Sequence, residues 1–236
     1  MKRFFLTEKL GKDFGMKGSE HNHLANVLRV KTGESVILCN GDEFDYEYIA
    51  EQITKTATQM RFVKQSLNTR NLKNKIHMYL PILKPDLQAL MVQKLSEVGV
   101  HGVTFVKTTN SNPSNVNFER LQEIANQSCK QCGRSAPLCM TKSIVPFKKW
   151  CEDITCFDQV IIADECESKN SLANIKLTPE IAILIGPEGG FTNDERAEFQ
   201  KIEKVISVSL GNRILRAETA AIVSAGTVAM RLEAEF

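Results

Sequence analysis

Two stretches of this chain share one pattern, and it narrows the available folds more than any other feature. In Ile181–Glu195, IAILIGPEGGFTNDE, an apolar run breaks at Gly186-Pro187-Glu188-Gly189-Gly190 and passes into a polar segment carrying Thr192 and Glu195. In Val205–Ala221, VISVSLGNRILRAETAA, a second apolar run breaks at Gly211 and passes into an Ala-rich segment. Strand, glycine turn, helix is the repeat of a parallel sheet covered by crossover helices. Upstream, KIHMYLPIL is followed by Leu87, Leu90, Met91, Leu95 and Val98 at helical spacing and then by GVTFVK, which makes one βαβ unit. Phe118–Cys132 reads as a helix after the polar loop Thr108–Asn117, and DQVIIADE reads as a further buried strand. Ala217–Glu235 reads as a closing helix whose Ala217, Ala221, Ala225 and Ala229 stack on one face, allowing close backbone approach.

The N-terminal part follows a different rule. Between residues 30 and 64, short alternating runs at Val36, Leu38 and at Phe44, Tyr46, Tyr48 are separated by the turn signals Thr32-Gly33 and Asn40-Gly41-Asp42, the pattern of a small antiparallel barrel. The change of pattern falls in Gln65–Lys75, which predicts a barrel domain over 1–70 and an α/β domain over 71–236. Charge divides the same way: residues 1–75 hold 13 Lys or Arg against 9 Asp or Glu, a net of +4, while the other 161 hold 17 against 19, a net of −2. Arg61–Lys75 carries five basic side chains and no acidic one, which suits a polyanion and equally suits a solvated linker.

The odd count of seven cysteines, scattered through a chain of 236 residues, reads as reduced thiols. Cys129-x-x-Cys132 with Cys139 has no second ligand pair at zinc spacing, so no metal is expected. The opening MKRFFL is too short for a signal peptide, and the apolar run Ala220–Met230 is interrupted by Ser224, Gly226 and Thr227. A cytoplasmic protein with no membrane role is expected. Trp150, the single tryptophan, reads as a packing residue.

Thr192 and Glu195 have capping-box spacing and predict a helix opening just past the first glycine turn. Such a turn, at a strand's carboxyl end, is where open α/β sheets bind ligands, since glycine lets the backbone approach them; by glycine content alone it is equally a plain tight turn. There is no Gly-Lys-Ser/Thr and no G-x-G-x-x-G, which disfavours a triphosphate or a dinucleotide. Arg213 and Arg216 suit RNA phosphate or an oxyanion, although by residue type alone an Arg–Glu surface pair is the favoured reading.

Together, LIGPEGGFTNDE and LGNRILRAETA resemble the two signature segments of the 16S ribosomal RNA methyltransferase family acting on uracil N3, a branch of the SPOUT class. MKRFFL, HLANVLRVKTGESVIL, KPDLQALMVQKLSEVGV and IANQSCKQCGR resemble that family's other segments, in order, over nearly the whole chain. The resemblance implies an N-terminal PUA-like β-barrel, a C-terminal α/β trefoil knot with a mostly parallel sheet, S-adenosylmethionine as donor and a homodimer. The implied target is a decoding-region uridine of 16S ribosomal RNA or the small subunit. It further implies a cofactor site made of Leu184, Gly186, Pro187, Glu188, Gly189 and Gly190 with Leu210, Gly211, Ile214 and Leu215, and places Arg216 and Arg213 at the transfer site. Arg3, His23, Arg29, Arg61 and Lys64 form the expected RNA-binding set. Asn212 stands where the family often has Pro, and Ala217 where it often has Thr. The competing readings are another SPOUT enzyme, acting on transfer RNA or a ribose 2′-oxygen, and a non-catalytic RNA-binding assembly factor.

Overall fold

The computed structural model describes residues 1–6 and 10–234. It divides into two compact units, Met1–Asn71 with Cys129–Pro137, and Leu72–Ser128 with Leu138–Phe236.

The first unit contains β1 (Lys2–Phe5), β2 (Asp13–Lys17), α1 (Gly18–Asn22) running on into a π-helical turn at His23–Val27, then β3 (Ser35–Cys39), β4 (Phe44–Ile53) and β5 (Ala57–Leu67). The sheet order is β1-β3-β4-β5-β2. Phe4 on one edge strand and Phe14 and Met16 on the other enter the same core with Leu24, Leu38, Tyr48 and Met60, so the sheet curls around it. One pair departs from the antiparallel pattern: β1 runs parallel to β3, which the long connection through β2 and α1 permits. Gly33 (φ 89°) and Gly41 (φ 92°) occupy the two turns marked by their sequence signals. The strand β5 extends three residues into the segment read as a linker, and Asn68 just beyond it donates to Asp45 and to the Gly133 carbonyl. Ser135 Oγ, donating to the Asp42 carbonyl, and Lys130, paired with Glu20, likewise hold Cys129–Pro137 in this unit.

The second unit contains β6 (Lys75–Pro81), α2 (Pro85–Val98), β7 (Gly102–Lys107), α3 (Phe118–Cys132, its last turn counted above), β8 (Cys139–Pro146), α4 (Phe147–Asp153), β9 (Gln159–Ala163), β10 (Glu180–Ile185), α5 (Asn193–Phe199), β11 (Val205–Val208) and α6 (Ala217–Ala234). Its six strands are all parallel, in the order β11-β9-β10-β6-β7-β8. Successive side chains of β10 enter opposite cores: Ile181 and Ile183 pack with α2 and α6, whereas Ala182 and Leu184 pack with Trp150, Phe191 and Phe199. That is why the run reads as continuously apolar. The alanine face of α6 is buried within this unit.

The connection between β9 and β10, residues 164–179, is laced over the chain that leaves β11. Ser209 N–H donates to the Asn170 carbonyl (2.7 Å), Leu172 N–H donates to the Ser209 carbonyl (3.2 Å), and Arg231 of α6 reaches back to the carbonyls of Leu172 (2.8 Å) and Ile175 (2.6 Å). This loop therefore holds both the exit of β11 and the closing helix α6 against the second unit. Among the described residues no helix is long and apolar enough to cross a membrane.

Candidate functional site

Register fixes the relation between the two glycine loops. Ile185, the last residue of β10, and Val208, the last of β11, both pair with Ala163 at the end of β9, from opposite sides. The loops therefore leave the sheet's carboxyl edge level with one another, one strand between them, about 10 Å apart at the strand spacing.

The first loop is held from three directions. Gly190 N–H closes a turn onto the Pro187 carbonyl (2.9 Å), with Gly190 at φ 67°. Asn110, from the loop after β7, donates its amide to the carbonyls of Gly189 (3.1 Å) and Gly190 (3.0 Å). Thr192 and Glu195 form the capping box that opens α5, and Glu195 Oε1 also accepts from Thr109 N–H (2.8 Å) and its hydroxyl (3.0 Å). Beneath, Arg196 grips Asp164 through two nitrogens and donates to Glu165 and to the Phe191 carbonyl. The Asp164 carboxylate raises Arg196 above the usual guanidinium range, so the clamp stays charged. Leu184 and Pro187 are buried and set the backbone, while Glu188 and Gly189 are exposed.

The second loop is open. Gly211 (φ 106°), Arg213, Ile214 and Arg216 are exposed, Ile214 at 92%, and Leu210 and Leu215 are half-buried. Among the described residues neither arginine makes an ion pair, and Glu218, the partner that residue type allowed, is buried (7% exposed) at the start of α6. One oxygen of that carboxylate has no hydrogen-bond partner among the described residues. A Cβ built on Gly211 would meet only Arg213, at 3.8 Å, so the backbone lies bare on that side.

Thr109, Asn110, Asp164 and Arg196 were not singled out in the sequence. The available signal was the polar loop 108–117 following a strand, but its partners lie up to 86 positions away. Asp164, Glu165 and Cys166 present ligand atoms within 4.8 Å of one another, yet Arg196 already balances both carboxylates. Burial pushes the Cys129 thiol up to about 12, and it donates to the Ala136 carbonyl, a packing role. Trp150 is buried and stacks on Phe147.

The residues expected to touch RNA fall in unequal places. Arg3 has a side chain only 7% exposed and holds both oxygens of Asp45, so it ties β1 to β4 inside the first unit. His23 is half-buried with its ring edge-on to Phe4, and nearby His21 is buried against Thr58. Arg61 and Lys64 are exposed on β5, paired with Glu51 and Glu47. Arg29 is exposed at φ 49°, with no ion pair among the described residues.

A parallel sheet with two level glycine loops at its carboxyl edge, preceded in the chain by a curled β-domain, defines an α/β protein with a candidate ligand site. Residues 70–229 match the model of the RNA methyltransferase domain and residues 17–58 that of the RNA methyltransferase PUA domain. The chain is 30% identical over 230 residues to ribosomal RNA small subunit methyltransferase E of Buchnera aphidicola, covering 91% of this chain and 87% of that one. It is 28% identical to the protein of that name from Rickettsia conorii, covering 96% and 94%. The crystal structure of the Neisseria gonorrhoeae protein of that name, bound to S-adenosyl methionine, superposes with a TM-score of 0.85 at 26% identity over 98% of this chain and 97% of that one. The chain belongs to the RNA methyltransferase family of ribosomal RNA small subunit methyltransferase E.

Proposed function

We propose that this protein transfers the methyl group of S-adenosylmethionine to N3 of a uridine in the decoding region of 16S ribosomal RNA. The observation that carries the reading is the level pair of glycine loops flanking Ala163, within the family fold. The residues fit the cofactor. Gly186–Gly190 and Leu210–Leu215 offer bare backbone and half-buried leucines for an adenosine, and the unpartnered Glu218 oxygen is a buried acceptor for a donor group. Bound there, S-adenosylmethionine supplies an electrophilic methyl on a sulfonium.

The protein's share of the chemistry is positioning and charge. Uracil N3 must give up its proton to solvent water, leaving negative charge spread towards the ring oxygens. Arg216 and Arg213, both exposed on the open loop, are free to hold that charge, and a guanidinium placed in advance lowers the barrier. The target must be unpaired, because duplex RNA hides its base edges. Arg29, Arg61 and Lys64 supply grip on the phosphates. A homodimer is part of this reading: Ile214, Val223 and Met230, on and just before α6, are large apolar side chains exposed at 92%, 40% and 73%.

The test is nucleoside analysis of ribosomal RNA from a deletion strain and of small subunits incubated with purified protein and labelled cofactor. Loss of 3-methyluridine in the first and its appearance in the second are expected. A missing ribose methylation or a missing transfer RNA modification points to another knotted enzyme, and no cofactor binding to a non-catalytic factor.

A further inference from the structure

The loop that braces the first glycine turn has a second end. Its early residues Thr109 and Asn110 hold Glu195, Gly189 and Gly190, and its late residues Asn115–Asn117 line a cavity of about 690 Å³ open to solvent. Asn115 is five positions after Asn110, so the cavity's rim lies within roughly 18 Å of the residue that holds the glycine loop. The rim is pinned by Gln88, which is buried and donates to the carbonyls of Leu83 (2.7 Å) and Asn115 (3.3 Å), and by Asn117, whose side chain caps α3 by accepting from Arg120 N–H (3.0 Å). Three kinds of surface meet inside. Pro85, Val116 and Phe118 make apolar walls; Asn115 offers its side-chain amide and Gln88 the amide oxygen left over from pinning the rim; Arg120 on α3 and Lys142 on β8 bring positive charge. Both cations are exposed and make no ion pair among the described residues, and Glu119 is the one carboxylate on the lining.

We propose that this cavity binds an unpaired nucleotide of the RNA substrate, a neighbour of the methylated one. The volume suits a ligand of nucleotide size. An aromatic and apolar wall takes a base face, amides take base edges, and cations take the phosphate. An inorganic anion would leave most of the cavity empty, and an apolar ligand would leave two bare cations against it. The inference rests on the RNA-methylating reading, which supplies the strand. The short span to the glycine loop then puts the occupant within a few nucleotides of the target.

The experiment measures binding of a single-stranded oligonucleotide with the sequence of the methylated region, across a series of salt concentrations, to the full chain. Arg120→Glu and Lys142→Glu are expected to weaken binding about tenfold each and to reduce the log–log salt slope by about 0.7 for each phosphate no longer neutralised. Lys148→Glu, the same charge change at an exposed site on α4, is the control and should change affinity far less. Val116→Phe fills the cavity at constant charge and should weaken binding with the slope unchanged. Calorimetry should find cofactor affinity intact in all four, which shows that they fold. Equal effects of Arg120→Glu, Lys142→Glu and Lys148→Glu overturn the proposal, since charge alone then explains them. Saturable binding of uridine 5′-monophosphate that the variants abolish, with oligonucleotide binding untouched, overturns it in favour of a free nucleotide. Wild-type protein that binds cofactor but no ribosomal RNA sinks the functional reading itself, a result separable from the others because it needs no variant.

Discussion

At Gly190 a single hydrogen stands where any other side chain would begin. The residue lies at φ 67°, and a Cβ there would run into the Glu165 carboxylate that Arg196 holds. Gly190→Ala therefore costs about 1–2 kcal/mol of backbone strain and also disturbs the clamp under the loop. Cofactor affinity by calorimetry should fall by about five- to thirtyfold, since 1.4 kcal/mol is a factor of ten. Gly189 differs: its φ is ordinary, and its missing Cβ faces Asn110 Cβ at 3.0 Å. Gly189→Val should act by dislodging Asn110 from the two carbonyls it holds. The double variant with Asn110→Ala should then lose little more than either single variant, because both remove one brace. Strictly additive losses would mean that the valine acts on the ligand instead.

Between strands, the element that stands out is a polar ladder in an otherwise apolar sheet. His77 on β6 bonds Thr104 on β7 (2.8 Å), which bonds Thr141 on β8 (2.7 Å), and the ring fits because Gly102 beside it has no Cβ. Burial, helped by His101, lowers His77 from 6.5 to about 4. The folded state thus refuses a proton that the unfolded chain accepts, so this group's stability is complete above pH 6.5 and drains away as pH falls towards 4, by on the order of 3 kcal/mol. Denaturant midpoints measured from pH 7 to 4 should show that decline, and His77→Gln should flatten it; an unchanged slope refutes the assignment. Elements of this kind mark the boundary of what was legible in the sequence. Buried strands such as β9 and β10, the glycine turns, the capping box and the alanine face of α6 were readable because one local rule governs each. Edge strand β8 was not, since Cys139–Pro146 buries little more than Met140 and carries no period. The attachment of Cys129–Pro137 to the first unit and the bracing of Gly189 by Asn110 depend on distant partners, which no local pattern encodes.

For the whole molecule, the apolar side chains left exposed around α6 and the charge left unpaired in the first unit lead to separate tests. Light scattering at micromolar concentration should give twice the chain mass, and Met230→Glu should reduce it to one; a monomeric wild type removes the dimer from the reading. Charge in the first unit is scarcer than its count. Met1–Asn71 with Cys129–Pro137 hold 13 Lys or Arg against 9 Asp or Glu, a net +4, but pairing reduces what is available: Arg3 is consumed by Asp45, and Arg61 and Lys64 are shared with Glu51 and Glu47. Of the expected RNA-binding arginines and lysine, Arg29 is left without an ion pair among the described residues, and its left-handed backbone lets Arg29→Gly remove the charge while relieving strain. That variant should bind RNA more weakly, with a shallower salt dependence, unaltered cofactor affinity and no loss of stability. Arg216→Ala should do the opposite: RNA should still bind, while turnover at saturating RNA and cofactor falls, because an interaction made in the transition state is lost. If Arg216→Ala instead raises the RNA concentration needed for half-maximal rate and leaves maximal turnover intact, Arg216 is a phosphate anchor. Stabilisation of the uracil anion then passes to Arg213, and Arg213→Ala becomes the variant in which turnover must fall.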